Sequence, residues 1–529
     1  MKYPRRLVLT VLAVLMVPGL AAAQRLFTGQ TAGGAFYAIA APVEWQPGDS
    51  LVIWNHGFDL NPPGPEPDLG PLAALQLGEG YAVAASSYSL NGWALFQTLT
   101  DLRQLYQAFV DELGTPGEVI VYGASLGGIV TAQALEGGGL GNVVGAMPIC
   151  GALGGSRIWN GALDLRLLYD HVCGDVPGAA IPGGAQGLPF PPDPAFDATA
   201  LGLAVNACTG VVLPPAARSA EQQARLDELL ALTALPENFL LVDMGFATFA
   251  MADLNYDPRK LAGGQALGNA DVDYGDAAVN AGIERVAADP AVLDRFLDFF
   301  TPAGRVGDVK IVSIHTDKDG LVLLENESEY AAVVPRRQFT LGVVVEDVPS
   351  HCGFTEGEIV AAWESLRGWV AGLPQPDAQA LQDTCEVLVG GGLAMGPCRI
   401  DPGLAVADLN DRVRPRVACN ETATSTCLNE GRFQVEVAWE DFDGNAGPGI
   451  VTPLRTDDTG SFYFFGPQNV ELMVKALDGR QNNGNFWIFY GSLTNVAFEL
   501  TVTDSETGLT KTYENGSGEF ASAGDTAAF

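Results

Sequence analysis

Between residues 50 and 148 the chain alternates short apolar runs with a helical run and Gly-containing turns, and this rhythm constrains the fold more than any other feature. The apolar runs have the length and composition of buried strands. The stretch Leu99–Leu113 repeats its apolar side chains at helical spacing. Strands that alternate with helices in this way build a mostly parallel sheet with helices on both faces, so the predicted fold class is α/β. The predicted strands are Ser50–Trp54, Gly80–Ser87, Glu118–Tyr122 and Asn142–Pro148.

The rhythm stops from about residue 151 to residue 305, where a Gly/Pro-rich loop is mixed with helical segments. Strand signals resume at Asp308–His315 and Phe339–Val348, and a helix follows at about residues 356–372. An insertion flanked by strands of one sheet should lie over the carboxyl ends of those strands, where such sheets bind ligands. We therefore predict that residues 151–305 form a lid.

A second domain is predicted at the C-terminus. Pro374 and Pro376, followed by Gly390–Gly392, predict a linker at residues 376–399, which ends a first domain at residues 24–375. Beyond residue 400 the apolar side chains alternate with polar ones, as in Arg432–Glu440. This period of two predicts an antiparallel β-sandwich at residues 400–529.

The N-terminus has the pattern of a secretory signal peptide. Basic residues at positions 2, 5 and 6 precede an apolar run, and Ala21–Ala23 offer small residues for cleavage, so residues 1–23 are predicted to be removed. The apolar run is shorter than the roughly 20 residues that span a bilayer. All eight cysteines follow this segment, which fits an oxidising compartment. The protein is predicted to be secreted, extracellular or periplasmic, without a membrane span.

The charge and the histidine positions exclude several classes of function. A formal net charge of −35 makes nucleic acid an unsuitable partner and disfavours polyanionic substrates, whereas neutral or apolar substrates are not penalised. The cysteines form no C-x-x-C pair, and the four histidines are scattered along the chain. Zinc-ligand spacing is therefore missing, and neither a metal nor a cofactor is predicted.

The segment Gly123-Ala124-Ser125-Leu126-Gly127 fits the pattern G-x-S-x-G between a predicted strand and a predicted helix. The glycines allow a sharp turn that raises the serine hydroxyl above the sheet. The alternative is an ordinary Gly-rich loop between a strand and a helix. The context on both sides favours Ser125 as a nucleophile.

A serine nucleophile needs a base, and His351 is the best placed of the four histidines. It follows the last predicted strand and precedes the last helix, so its loop can reach the serine. The base in turn needs a carboxylate partner, and either Asp317 or Asp319 could serve. Asp319 begins a turn into the next helix and is preferred.

These residues resemble the α/β-hydrolase superfamily over roughly residues 51–370, in the order serine, aspartate, histidine. The segments D-G-L-V, E-N-E-S-E-Y and H-C-G-F-T-E-G-E between residues 315 and 369 resemble secreted bacterial hydrolases described as esterases. The C-terminal region resembles a module found at the ends of secreted bacterial proteins. The resemblance implies a catalytic triad and an oxyanion hole that is formed by two backbone N–H groups. The residues concerned are Ser125, Asp319 and His351 for the triad, and Phe58 and Leu126 for the oxyanion hole.

One cysteine departs from a related pattern. Tannases and feruloyl esterases carry a disulfide between a cysteine before the serine and one after the histidine, but Ala124 occupies the first position here. Cys352 is instead predicted to pair with Cys150, which ends a strand at the same sheet edge. Proximity suggests the remaining pairs, Cys173 with Cys208, Cys385 with Cys398 and Cys419 with Cys427, although connectivity does not follow from sequence.

The predicted function is hydrolysis of a neutral or apolar carboxylic ester, small or polymeric, through an acyl-enzyme. A peptidase or amidase with the same triad is the alternative enzyme. A non-catalytic surface or binding protein that kept the fold is the alternative of another class.

Overall fold

The computed structural model describes residues 24–187, 195–270, 272–298, 301–407, 409, 419–429, 431–479, 483, 485–505 and 510–529, and the predicted signal peptide lies outside them. Eight strands of the described part form one sheet: β1 (Gln24–Gln30), β2 (Phe36–Pro42), β3 (Leu51–Asn55), β4 (Ala82–Ser86), β5 (Val119–Ala124), β6 (Val143–Ile149), β7 (Lys310–Thr316) and β8 (Phe339–Val344). Their order is β1-β2-β4-β3-β5-β6-β7-β8. The strand β2 pairs antiparallel with both β1 and β4. Neighbouring strands are parallel along the rest of the order, β4-β3-β5-β6-β7-β8, which confirms the predicted mostly parallel sheet.

Helices cover both faces of this sheet because its strands are apolar on both sides. Ile53 and Val121 pack with Ile129 on one face, and Val52 and Ile120 pack with helix residues such as Trp363 on the other. The described helices are α1 (Ala73–Gly78), α2 (Thr98–Leu113), α3 (Leu126–Gly137), α4 (Trp159–Cys173), α5 (Ala198–Thr209), α6 (Ala220–Thr233), α7 (Leu240–Gly245), α8 (Met251–Tyr256), α9 (Ala277–Gly282), α10 (Pro290–Asp298), α11 (Asn326–Val333), α12 (Glu356–Val370) and α13 (Ala378–Gly390).

The insertion between β6 and β7 contains α4 to α10 and a π-helical turn at Phe246–Ala250, which joins α7 to α8. Within the insertion, Lys260 and Asp253 form a buried ion pair. The Lys260 ammonium also donates to the backbone oxygen of Asn91, at 2.7 Å, in the segment that follows β4. One buried side chain of the insertion thus binds the segment that follows β4.

The prediction of a linker at residues 376–399 is wrong, because these residues contain α13. Asp377 caps the helix, because its side chain accepts a hydrogen bond from the N–H of Ala380 at 2.8 Å. Leu381 and Cys385 are fully buried, with Leu381 packed at the edge of the sheet. Residues 400 and 401 also pair with β8, so the first domain extends past its predicted end. The flanking proline and glycine signals concealed a helix with a buried face.

The C-terminal region forms two packed antiparallel sheets, as predicted. The strands are β9 (Ser425–Leu428), β10 (Phe433–Glu440), β11 (Ala446–Pro448), β12 (Ile450–Val451), β13 (Thr459–Tyr463), β14 (Leu472–Asp478), β15 (Phe486–Ser492), β16 (Ala497–Asp504), β17 (Thr510–Asn515) and β18 (Ser522–Asp525). One sheet has the order β11-β10-β16-β17 with β9 beside β10, and the other has the order β12-β13-β14-β15-β18. Alternate residues such as Val435, Val474 and Leu500 fill one core between them.

All eight cysteines lie in the described part, and they form the four predicted disulfide bonds: Cys150–Cys352, Cys173–Cys208, Cys385–Cys398 and Cys419–Cys427. Among the described residues, no single helix has both the length and the apolar character to cross a membrane. The pair Ala220–Thr233 and Glu237–Tyr256 meets the criterion only when taken together, and it is bent by 96°.

Candidate active site

The turn between β5 and α3 holds Ser125 in a strained conformation. Its φ of 58° and ψ of −123° lie outside the regions that residues with a side chain ordinarily adopt. Gly123 and Gly127 make this turn possible. A Cβ atom at Gly127 would lie 2.0 Å from the backbone oxygen of Asn55, and one at Gly123 would lie 2.3 Å from the oxygen of Gly127. The strain is characteristic of a side chain that is presented for reaction.

The loop between β8 and α12 brings His351 onto this serine. The His351 Nε2 atom lies 2.9 Å from Ser125 Oγ, although the two residues are 226 positions apart in the chain. The Cys150–Cys352 bond ties this loop to the end of β6, directly beside the histidine. The two sulfur atoms lie close to His351, but they are bonded to each other and offer no thiolate to a metal.

The structure separates the two candidate acids. Asp319 Oδ2 lies 2.6 Å from His351 Nδ1, and Asp319 Oδ1 accepts hydrogen bonds at 3.0 Å from the backbone N–H groups of Leu321 and Val322. Asp317 instead accepts a hydrogen bond from the backbone N–H of Glu346, at 2.7 Å. Ser125, His351 and Asp319 thus form one chain of hydrogen bonds, and Asp317 supports a neighbouring loop.

The turn after β3 lies beside the serine. A Cβ atom at Gly57 would lie 3.9 Å from Ser125 Oγ, so the following residue, Phe58, is close to the nucleophile. Leu126 is the first residue of α3, and its N–H has no partner within the helix. Both N–H groups are therefore candidates to bind an oxyanion, and donors of this kind contribute about 3 kcal/mol each.

His56 shapes this turn. Its Nδ1 atom donates to the Gly57 backbone oxygen at 2.8 Å, and its ring stacks on Tyr88 with the centroids 4.1 Å apart. Burial lowers the pKa of His56, which keeps the ring neutral at pH 7. The two other histidines are not hydrogen-bonded to Ser125: His171 lies in α4, and His315 is buried against Glu327.

One segment of the insertion contacts all three loops of the site, and we call residues 236–250 the lid segment. The Asn238 side chain donates to the backbone oxygen of Pro349, in the histidine loop, at 2.9 Å. Phe239 packs closely on Gly320, since a Cβ atom at Gly320 would lie 2.6 Å from the ring of Phe239. The ring centroids of Phe246 and Phe58 lie 4.7 Å apart. The lid segment therefore contacts the loops of the site through one asparagine and two phenylalanine side chains.

Asp243, in α7 of the lid segment, is a residue that the sequence reasoning missed. It is only 8% exposed, and its Oδ2 atom has no hydrogen-bond partner in the described structure. Burial, together with the negative charge of Asp319, raises the pKa of Asp243 to about 8. The carboxyl group is therefore mostly protonated at neutral pH. The available signal was an acidic residue within the largely apolar run of residues 239–252.

Replacing Asp243 by asparagine is expected to stabilise the protein at high pH and not at low pH. The folded state holds a proton on Asp243 up to about pH 8, whereas the unfolded chain releases it near pH 3.8. Stability is therefore lost as the pH rises through this window, by up to about 6 kcal/mol at about 1.4 kcal/mol per pH unit. Asparagine has the same shape and does not titrate.

Urea unfolding of Asp243→Asn and wild type at pH 4, 6 and 8 would measure this difference. Asp227→Asn, on the exposed side of α6, is the matched control and should follow wild type at each pH. If Asp243→Asn and wild type lose stability in parallel between pH 4 and pH 8, the carboxyl group is not buried as a neutral group.

Comparisons with known proteins give only distant likenesses. Neither a protein-family model nor a curated protein sequence matches the chain. Among solved structures, the rice cell wall degrading esterase LipA from Xanthomonas oryzae matches at 14% identity and a TM-score of 0.32, over 66% of this chain and 88% of that one. Candida antarctica lipase A matches at 13% identity and a TM-score of 0.35, over 71% of this chain and 89% of that one. The Pyrococcus furiosus esterase Pf2001 matches at 12% identity and a TM-score of 0.32, over 67% of this chain and 92% of that one. Scores this low carry no argument about activity or substrate.

Proposed function

We propose that this chain is an exported serine hydrolase of carboxylic esters. Its first domain has the strand order and the strained serine turn of the α/β-hydrolase fold. The observation that carries the proposal is the continuous chain of hydrogen bonds from Ser125 Oγ through His351 to Asp319, at 2.9 and 2.6 Å. A serine hydroxyl becomes a nucleophile when a positioned imidazole can take its proton.

The reaction proceeds by two acyl transfers. Ser125 Oγ attacks the ester carbonyl while His351 Nε2 accepts its proton, and the N–H groups of Phe58 and Leu126 stabilise the oxyanion. The protonated His351 then gives its proton to the departing alcohol, which leaves an acyl-enzyme on Ser125. A water molecule, activated by the same imidazole, attacks the acyl group and releases the acid. Asp319 holds the His351 ring in one orientation and stabilises its positive charge.

The surroundings of the serine favour a neutral or apolar substrate. Phe58, Phe239 and Phe246 line the contact between the lid segment and the site loops. The net charge of −35 disfavours polyanionic substrates, so we propose an uncharged ester, small or polymeric, and no nucleic-acid partner. The proposed activity uses side chains and backbone groups of the chain itself and no cofactor.

Export is proposed on two observations. The first residues have the charge and apolar pattern of a signal peptide, and the four disulfide bonds fit an oxidising compartment. The C-terminal sandwich is proposed as a separate domain, because the described triad and lid segment lie before residue 372 and its strands enclose a core of their own.

Labelling with a fluorophosphonate probe tests the serine mechanism directly. The probe is expected to modify the protein once, at Ser125, as read by peptide mass spectrometry. A panel of p-nitrophenyl esters and the matching p-nitroanilides then tests the bond that is cleaved. We expect ester hydrolysis to exceed amide hydrolysis by at least about 100-fold in kcat/KM. Faster anilide cleavage would assign a peptidase or amidase, and absence of labelling would assign a non-catalytic protein.

A further inference from the structure

The acid of the proposed triad lies between two imidazole rings. Asp319 Oδ2 is 2.6 Å from Nδ1 of His351 and 3.8 Å from Nε2 of His315. The proposed reaction uses only the first of these histidines. His315 stands at the end of β7, and the side chains of both His315 and Asp319 are fully buried. The second histidine therefore faces the acid at a distance where a charge on either group acts strongly on the other.

The contacts of His315 show which atoms carry its protons. Its Nε2 atom lies 2.8 Å from the backbone oxygen of Val322, which can only accept, so Nε2 bears a hydrogen. Its Nδ1 atom lies 3.0 Å from Oε1 of Glu327, which is also fully buried. Burial by itself lowers the pKa of His315. The hydrogen bond and charge of Glu327, with the charge of Asp319 and the Val322 carbonyl, outweigh it, and the net pKa is raised.

Two carboxyl groups face His315 from different elements of the fold. Glu327 approaches His315 from α11, and Asp319 approaches it from the turn after β7. Asp243 of the lid segment interacts with Asp319, and Tyr330 of α11 interacts with Glu327. Asp319 and Glu327 bring negative charge into a buried region, where an uncompensated charge costs several kcal/mol. His315 is the group that faces both of these carboxylates.

His315 also holds the turn that carries the acid. Its Nε2–H binds the Val322 carbonyl, while the Val322 N–H binds Asp319 Oδ1 at 3.0 Å. One residue of the turn is thus bound on both sides, by the histidine and by the acid. A shift of His315 would change the position of the Asp319 carboxylate against His351.

We propose that His315, paired with Glu327, is the counter-ion of Asp319 and a positioning residue of the triad. This inference rests on the proposed function, because it assigns His315 a role through Asp319 and gives it no contact with substrate. Its consequence is that the contribution of His315 to catalysis is largest at acidic pH, where its ring is charged, and declines as the pH rises through its raised pKa.

The pH profile of His315→Gln tests the charge separately from the tether. The glutamine amide can still donate to Val322, but it carries no charge. Relative to wild type, kcat/KM is expected to fall by about tenfold near pH 6, where His315 is charged, and to change little at pH 8.5. His171→Gln, a histidine of α4 away from the triad, is the matched control and should keep the wild-type profile. A folded His315→Gln enzyme with the wild-type profile would overturn the proposal.

A second measurement decides the case if His315→Gln does not fold. The wild-type chain has four histidines, so its ¹⁵N-histidine spectrum is simple to assign. At pH 7.5 we expect one buried imidazolium with both ring N–H signals, and Glu327→Gln should convert it to a neutral ring. A neutral His315 in the wild-type protein would overturn the proposal. This readout does not depend on ester hydrolysis, so a failure of the proposed function is distinguished from a failure of the counter-ion.

Discussion

Replacing Ser125 by alanine is expected to lower ester hydrolysis by about 10⁴-fold or more and to leave the protein folded. The alanine keeps the Cβ atom, so the strained turn at φ 58° and the packing of α3 are preserved while the nucleophile is lost. The measurement is kcat/KM on a chromogenic ester, with circular dichroism and thermal unfolding to compare the folds.

The matched control for this variant is Ser517→Ala, an exposed serine in the C-terminal sandwich that should leave kcat/KM unchanged. The fluorophosphonate probe should label Ser517→Ala and leave Ser125→Ala unlabelled. If Ser125→Ala keeps most of the activity, another residue is the nucleophile and the proposed mechanism is wrong.

Replacing Asp319 by asparagine is expected to lower kcat by about 10⁴-fold, whereas Asp317→Asn should change it by no more than a few-fold. The amide introduced by Asp319→Asn would offer an N–H group to the 2.6 Å contact with His351 Nδ1 and so favour the tautomer that cannot accept the serine proton at Nε2. In Asp317→Asn, the side-chain oxygen can still accept the hydrogen bond from the Glu346 N–H.

The two aspartate variants control for each other, because the same change is made two residues apart in one turn. Steady-state kinetics at pH 8 and thermal unfolding of both proteins would compare them. The reverse ranking, with Asp317→Asn the more damaging, would transfer the role of the acid to Asp317.

The strand–helix rhythm, the serine turn and the antiparallel C-terminal domain could be predicted because they depend on residues close together in the chain. Alternation of side chains sets which face of a strand is buried, as at Val435 and Val437. Gly123 and Gly127 determine where the chain can turn sharply around Ser125. The helix α13 was missed because the prolines before it and the glycines after it gave strong local turn signals. Only contact with the sheet shows that Leu381 is buried.

The sequence by itself determined the local elements, the serine turn and a short set of candidates for base and acid. Only the tertiary structure decided between Asp317 and Asp319, since both occupy one turn and differ in what they face: Glu346 in one case and His351 in the other. It alone placed Glu327 against His315, and Asp243 of the insertion near Asp319. The physical reason is that burial and charge depend on groups brought together from distant parts of the chain. The spacing of residue types along the chain indicates the backbone conformation of a residue, but it does not indicate which distant residues lie next to it in space.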